Sequence, residues 1–214
     1  LATPISITTA AGRGAQAGVL VKNAEALELM ADVDTLIVDK TGTLTEGKPA
    51  LTDVTSFGDV SENDLLAAAA TLERASEHPL AEAIVEGAKA RGLALGNGEE
   101  FEAITGRGVI GRVDGRDVAL GNNALMTSLG IDCDTGEATA DRLRGEGKTA
   151  MFVAMDGHLA GLVAVADPIK DTAAAAIRDL HDLGLRVIMA TGDNERTAQA
   201  VASRLGIDEV HAGM

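Results

Sequence analysis

The sequence predicts an α/β protein in which a doubly wound parallel sheet, supplied in two pieces, is interrupted by an inserted α+β unit with an antiparallel sheet. Three observations carry this. The runs Leu36-Ile37-Val38 and Arg186-Val187-Ile188-Met189-Ala190 are short, contain β-branched residues and end in polar Asp/Thr/Gly loops, the pattern of buried parallel strands. Between them the pattern turns to alternating strands, punctuated by the hairpin dipeptides Asp114-Gly115 and Asp156-Gly157. The change falls at Gly47-Lys48-Pro49 and is reversed at Asp167-Pro168-Ile169-Lys170, so the expected pieces are 1–48, 49–165 and 166–214.

In chain order, residues 4–17 and 24–31 have helical composition, with Asn23 as N-cap of the second and Val19-Leu20-Val21 as a short strand between them. Strand 36–38 and its loop follow. In the insert, 51–57 alternates like a strand, Ser61-Glu62-Asn63-Asp64 opens a helix as a capping box, and Pro79 suits the first turn of a second helix. Residues 100–105, 109–113, 116–120, 150–155 and 159–165 read as strands, with helices near 123–129 and 136–145. A helix over 171–183, the strand 186–190 and a helix over 195–205, ended by Gly206, then restore the first pattern.

At 214 residues the chain can bury a substantial core. Apolar residues make up 46% but aromatics only 1%, so that core is built from Ala, Val, Leu, Ile and Met. A net charge of −15 without clustered Lys and Arg argues against a nucleic-acid surface, although local cations and a metal ion would still permit a nucleotide. Cys133 is the only cysteine, which excludes an internal disulfide and suits a reducing compartment. His78, His158, His181 and His211 show no metal-ligand spacing. The longest clean apolar run, 159–166, is shorter than the roughly 20 residues of a membrane span, and no signal peptide is visible.

The candidate reactive group is Asp39, at the carboxyl end of the first core strand, where ligands bind in open α/β sheets. A carboxylate there can attack a phosphoryl group and hold it as an acyl phosphate, and Thr41-Gly42-Thr43 lets backbone amides turn toward an anion. Two positions after Asp39 stands Thr41, whose hydroxyl is too weak an acid to protonate a leaving group at neutral pH. An aspartyl phosphate is therefore expected to persist, which suits an energy transducer and counts against a phosphatase. Thr191-Gly192-Asp193 ends the next core strand and can face Asp39 across the same edge, its hydroxyl and amides around a transferring phosphoryl group. Taken alone, each of these loops is also an ordinary turn. Gly106-Arg107-Gly108-Val109-Ile110-Gly111 fits a dinucleotide-binding glycine pattern, but a strand follows where that pattern needs a helix. Gly147-Lys148-Thr149 imitates the end of a P-loop, yet Arg142 stands where Gly is required; Lys148 is still expected as a cation able to reach a phosphate.

The heptapeptide Asp39-Lys40-Thr41-Gly42-Thr43-Leu44-Thr45 resembles the signature of the P-type ATPases. Leu1-Ala2-Thr3-Pro4 and the stretch from Gly18 to Glu28 resemble the segment that leads from the membrane to that signature in heavy-metal pumps, the copper branch most of all. Further matches recur to about residue 195, nearly the whole chain. The resemblance implies a haloacid-dehalogenase-like phosphorylation domain interrupted by a nucleotide-binding domain. It implies ATP and magnesium as cofactors, and the cytosolic part of a pump that phosphorylates itself on Asp39 to export copper(I). Lys40, Thr191, Gly192 and Asp193 would complete the phosphoryl site, with magnesium on Asp39 and the Thr41 carbonyl. Ser76-Glu77-His78-Pro79-Leu80, with Glu73 five residues before His78, is similar to the nucleotide-site motif of the metal pumps. Gly106, Gly108, Gly121 and Asn122 match further nucleotide-domain positions, and Asp167 and Lys170 resemble the hinge motif that couples the two domains. By themselves, His78 reads as a helix cap, the glycines as turn glycines, and Asp167 and Lys170 as caps of the following helix.

The partners implied are ATP and the transmembrane and actuator domains of the same pump, with membrane attachment only through those parts, at the cytoplasmic face, and no nucleic acid. The family carries a Lys and a Gly-Asp-Gly-x-Asn-Asp segment after the Thr-Gly-Asp loop; neither occurs before Met214, so an incomplete catalytic site is expected. In that fold, strand 36–38 lies between the Thr-Gly-Asp strand and the strand leading to that segment, so it is expected at a sheet edge unless Val19–Val21 covers it. The rival readings are a zinc, cadmium or silver pump, a soluble phosphatase with a cap domain, and a non-catalytic nucleotide-binding module.

Overall fold

The computed structural model describes residues 2–21 and 23–214; Leu1 and Lys22, which belong to the stretches resembling the membrane-proximal segment, lie outside the described residues. The chain begins with α1 (Ala2–Gln16) and α2 (Ala24–Met30). Asn23 caps α2 as expected, its side chain accepting the Ala26 N–H at 2.7 Å. Val19–Val21, however, forms no strand. Gly18 (φ 83°) ends α1, with its own N–H on Ala15 O (3.1 Å) and the Val19 N–H on Gly14 O (2.8 Å). This is a Schellman stop, which uses an apolar residue just past the glycine, so the Val that reads as strand is part of a helix terminus. β1 (Thr35–Asp39) follows.

The next stretch builds a six-stranded sheet. Its elements are β2 (Ala50–Ser56), α3 (Glu62–Glu73), α4 (Pro79–Ala90), β3 (Gly98–Ile104), β4 (Gly108–Val113), β5 (Arg116–Gly121), α5 (Asn123–Ser128), α6 (Asp134–Gly145), β6 (Thr149–Met155) and β7 (His158–Ala166). The strand order is β2-β7-β6-β5-β4-β3, antiparallel throughout. Both Asp-Gly signals are used: Asp114 and Asp156 (φ 49° each) and Gly115 and Gly157 (φ 80° and 78°) take the left-handed conformations that a type I′ hairpin needs. Ser61 caps α3 by accepting the Asp64 N–H at 3.1 Å. Strand alternation sorts the side chains into two cores. Val118, Leu120, Val153, Val163 and Val165 pack with α3 and α4, whereas Ala119, Phe152, Ala154, Leu162 and Ala164 pack with α5 and α6.

The chain then returns to β1 through α7 (Ala173–Asp182), β8 (Arg186–Ala190), α8 (Glu195–Leu205) and β9 (Glu209–His211), giving a parallel sheet ordered β1-β8-β9. β9 was not legible beforehand, since three residues show no periodicity. Val187 and Met189 of β8 pack with Ile177 of α7 and Ala198, Val201, Ala202 and Leu205 of α8. β1 lies at the edge, as expected, with Ile37 67% exposed. Among the described residues no helix is long and apolar enough to cross a membrane.

Candidate functional site

β1 and β8 run parallel with Asp39 opposite Ala190, so Asp39 and Thr191 emerge at the same carboxyl edge. Beyond Asp39 the chain turns sharply. Thr41 (φ −74°, ψ 123°) and Gly42 (φ 75°, ψ −15°) have the torsions of a type II turn, which demands positive φ at its second central residue and hence Gly. The turn leaves the Asp39 carboxylate exposed, and it makes no hydrogen bond or ion pair with any described residue. Lys40 is 8% exposed and its ammonium pairs with the Asp193 carboxylate, so the two loops are tied by a charge pair that is largely removed from water. Thr191, 5% exposed, accepts the Asp193 N–H on Oγ1 at 3.2 Å, while its own N–H donates to His211 O at 2.9 Å. Gly192 is exposed at the loop tip. The Gly42 N–H, one of the amides expected to face an anion, is already donated to Thr45 Oγ1 at 3.2 Å.

The two crossovers between the sheets are stitched to each other. The Asp167 carboxylate accepts the Thr45 hydroxyl (2.6 Å) and the N–H groups of Gly47 (3.2 Å) and Lys48 (3.0 Å). Lys170 Nζ donates to Gly42 O at 2.6 Å, and backbone bonds join Glu46 to Pro168 and Lys170 to Leu44. The cap reading for Asp167 and Lys170 is therefore corrected: Thr172 occupies the N-cap of α7, and these two side chains hold the loop after Asp39 instead. Thr45 is a residue that sequence reasoning passed over. It is 1% exposed and lies at the centre of this clamp.

On the six-stranded unit, Glu73 ends α3 with its side chain buried and Oε2 without any hydrogen-bond partner. Burial pushes its carboxyl above the ordinary range, against a smaller opposing effect of a hydrogen bond with Ser76. His78 is exposed and caps α4, its Nδ1 accepting the Leu80 N–H at 3.2 Å; the neutral ring therefore carries its proton on Nε2, which stays free to donate outward. Gly106, Gly108, Gly121 and Asn122 meet in one corner. Asn122 Nδ2 donates to Gly106 O at 2.9 Å, and Gly108 pairs with Gly121 across β4 and β5. A Cβ on Gly108 would overlap Leu120 O and one on Gly121 would overlap Arg107 O, so the approach of their own strands requires both glycines. Gly106 (φ 70°) faces open space. No hydrogen bond or ion pair joins Glu73 or His78 to this corner among the described residues. Lys148, read as a cation able to reach a phosphate, is held here by Asp53 Oδ2 (2.8 Å) and Glu146 Oε2 (2.7 Å), and these hydrogen bonds raise its pKa.

Comparison with known proteins gives this geometry its context. The family description "haloacid dehalogenase-like hydrolase" matches residues 33–213. A copper-transporting P-type ATPase of Rhizobium leguminosarum bv. viciae is 65% identical over 99% of this chain and 25% of its own length. A silver-exporting P-type ATPase of Salmonella typhimurium is 51% identical over 100% of this chain and 26% of its own. The chain thus spans about a quarter of the length of the curated relatives it matches. Among solved structures, a zinc-transporting PIB-type ATPase aligns with a TM-score of 0.75 at 35% identity, covering 99% of this chain and 34% of the other. The relatives it matches are named as heavy-metal P-type ATPases, and the chain itself belongs to the haloacid dehalogenase-like hydrolase family.

Proposed function

We propose that this chain is the ATP-binding, self-phosphorylating cytosolic part of a pump that exports copper(I), with phosphorylation domain 1–48 and 166–214 and nucleotide-binding domain 49–165. The observation that carries the reading is the exposed, unpaired Asp39 carboxylate beside the Thr191 loop. An Asp39 oxygen attacks the γ-phosphorus of ATP, the bond from that phosphorus to the β–γ bridging oxygen breaks, and ADP leaves with the electron pair, so that an acyl phosphate remains. Lys40 steadies Asp193, and Thr191, Gly192 and Asp193 line the phosphoryl position. With Thr41 in place of an acid, the intermediate persists until water cleaves it.

The residues also fit the two cofactors. The buried, unpartnered Glu73 Oε2 is an acceptor that suits the amino group of adenine, with the His78 Nε2–H and the open Gly106 corner as further contacts. Magnesium takes one or two carboxylates and leaves its other positions to phosphate and water, which suits Asp39 and the Thr41 carbonyl; when bound it would neutralise phosphate charge. Asp167 and Lys170 act as the hinge between the two domains.

Copper is favoured by the name of the 65% identical relative, while the silver exporter and the zinc pump support a second reading within the same class. The test is metal-stimulated ATP hydrolysis by a full-length pump carrying this chain. Stimulation by Cu(I), abolished by Asp39→Asn, is expected. Stimulation by Zn(II) alone would change the cargo, and undiminished hydrolysis in Asp39→Asn would remove the mechanism.

A further inference from the structure

Besides the crossovers, the six-stranded unit meets the parallel-sheet unit where α6 packs on α8. The turn after α6 is rigidly held. Gly147 is left-handed (φ 82°), the Lys148 N–H bonds Leu143 O at 3.1 Å, and Lys148 Nζ is anchored by Asp53 of β2 and by Glu146. The carbonyl of Lys148 accepts the hydroxyl proton of Thr197 at 3.0 Å. Thr197 is fully buried (0% exposed), and its oxygen in turn accepts from Asn194 Nδ2 at 2.9 Å. Asn194, the residue directly after Thr191-Gly192-Asp193, caps α8 by taking the Thr197 N–H on Oδ1 at 3.0 Å. A cap needs only that N–H. The hydroxyl is therefore surplus to the helix and serves the contact with Lys148. Around it, Arg196 pairs with Asp141 in the open, and a Cβ at Gly147 would lie 3.4 Å from Val201 Cγ2. Among the described residues, these are the polar links between the two units outside the crossovers.

We infer that Thr197 is a positioning residue: its bond to Lys148 O fixes the orientation of the six-stranded unit against α8, and through Asn194 it joins that orientation to the Thr191–Asp193 loop. A swing of the unit about its two crossovers breaks the bond and leaves the buried Thr197 hydroxyl, which still accepts from Asn194 Nδ2, without its acceptor at the start of the loop's helix. The inference rests on geometry alone and stands whether or not the bound nucleotide is ATP.

The test uses the 214-residue chain with Cys133→Ser and spin labels at Glu82→Cys on α4 and Asp179→Cys on α7, both exposed positions. Distance distributions are recorded by pulsed electron paramagnetic resonance, and folding is checked by thermal melting. Thr197→Val, which keeps the shape and removes the hydroxyl, is expected to raise the ratio of displaced to docked populations roughly fivefold, the factor that about one net hydrogen bond carries. Thr197→Ser is expected to restore the narrow distribution, which a purely volumetric role would not do. An unchanged distribution in folded Thr197→Val overturns the inference. If that variant does not fold, exposed Arg196→Asp decides: displacement that Asp141→Arg reverses supports the inference, and an unchanged distribution overturns it.

Discussion

The two sheets are enclosed to very different degrees. β5, β6 and β7 have helices packed on both faces, α3 and α4 on one and α5 and α6 on the other. Among the described residues, ten of the twelve largest fully buried side chains, Phe152, Leu65 and Leu120 among them, belong to this unit, whereas Ile177 and Met189 are those of the parallel unit. There, β1 is held on one side by β8 and leaves Ile37 exposed. The orphaned Glu73 oxygen and the glycine corner thus stand on a heavily packed scaffold. The Asp39 carboxylate ends a strand whose order depends on β8, the Lys40–Asp193 pair and the Asp167 clamp. Stability is unevenly distributed, and the reactive group belongs to its lighter end.

The largest effect that could break this comparison comes from the cores. Phe152→Ala is expected to cost about 3–5 kcal/mol, and Ile37→Ala no more than about 0.5 kcal/mol, as read by urea denaturation; equal costs would contradict the difference. Next in size is the clamp. Asp167→Ala removes one accepting carboxylate from three donors and is expected to cost roughly 1.5–3 kcal/mol, with faster hydrogen exchange at β1 and β8 while β6 and β7 keep their protection. Loss of protection in β6 would mean that the clamp supports both sheets.

Helix caps give a smaller, sharper contrast. Ser61 bonds the Asp64 N–H, while Thr172 makes no side-chain cap bond. Ser61→Ala should therefore cost about 1 kcal/mol, and Thr172→Ala should leave the melting temperature nearly unchanged. The smallest expected effect is a pH dependence at Glu73. Burial raises its folded pKa above the ordinary 4.5, so the stability it contributes is full below that value and is lost as pH rises through the folded value. Glu73→Gln should abolish this slope and be more stable than the parent at neutral pH, while binding ATP more weakly. Melting curves between pH 4 and 8 and a nucleotide titration followed by NMR check both. A variant less stable than its parent at pH 7 would mean that the Glu73 carboxylate has an unrecognised partner.

Local features were legible in the sequence and distant pairings were not. The Asp-Gly hairpins and the Ser61 and Asn23 caps were foreseen because two-residue periodicity and cap chemistry leave local marks, whereas the edge position of β1 followed from the resemblance to the P-type pumps. Val19–Val21 was misread because an apolar residue past a helix-ending glycine looks the same as a strand. The contacts of Asp167 and Lys148 were not legible for another reason: their partners, Thr45 and Asp53, lie 122 and 95 positions away. Thr197 had no signal at all, since only the folded chain reveals that its hydroxyl meets a carbonyl of the turn after α6.

The central claim is that Asp39 receives the phosphoryl group. The most direct measurement is to expose a full-length pump carrying this chain to ATP labelled at the γ-phosphate, quench in acid and map the label by peptide mass spectrometry. The account predicts a hydroxylamine-sensitive label on Asp39 that Asp39→Asn abolishes. Undiminished labelling in Asp39→Asn, or label recovered from a peptide without Asp39, would contradict it.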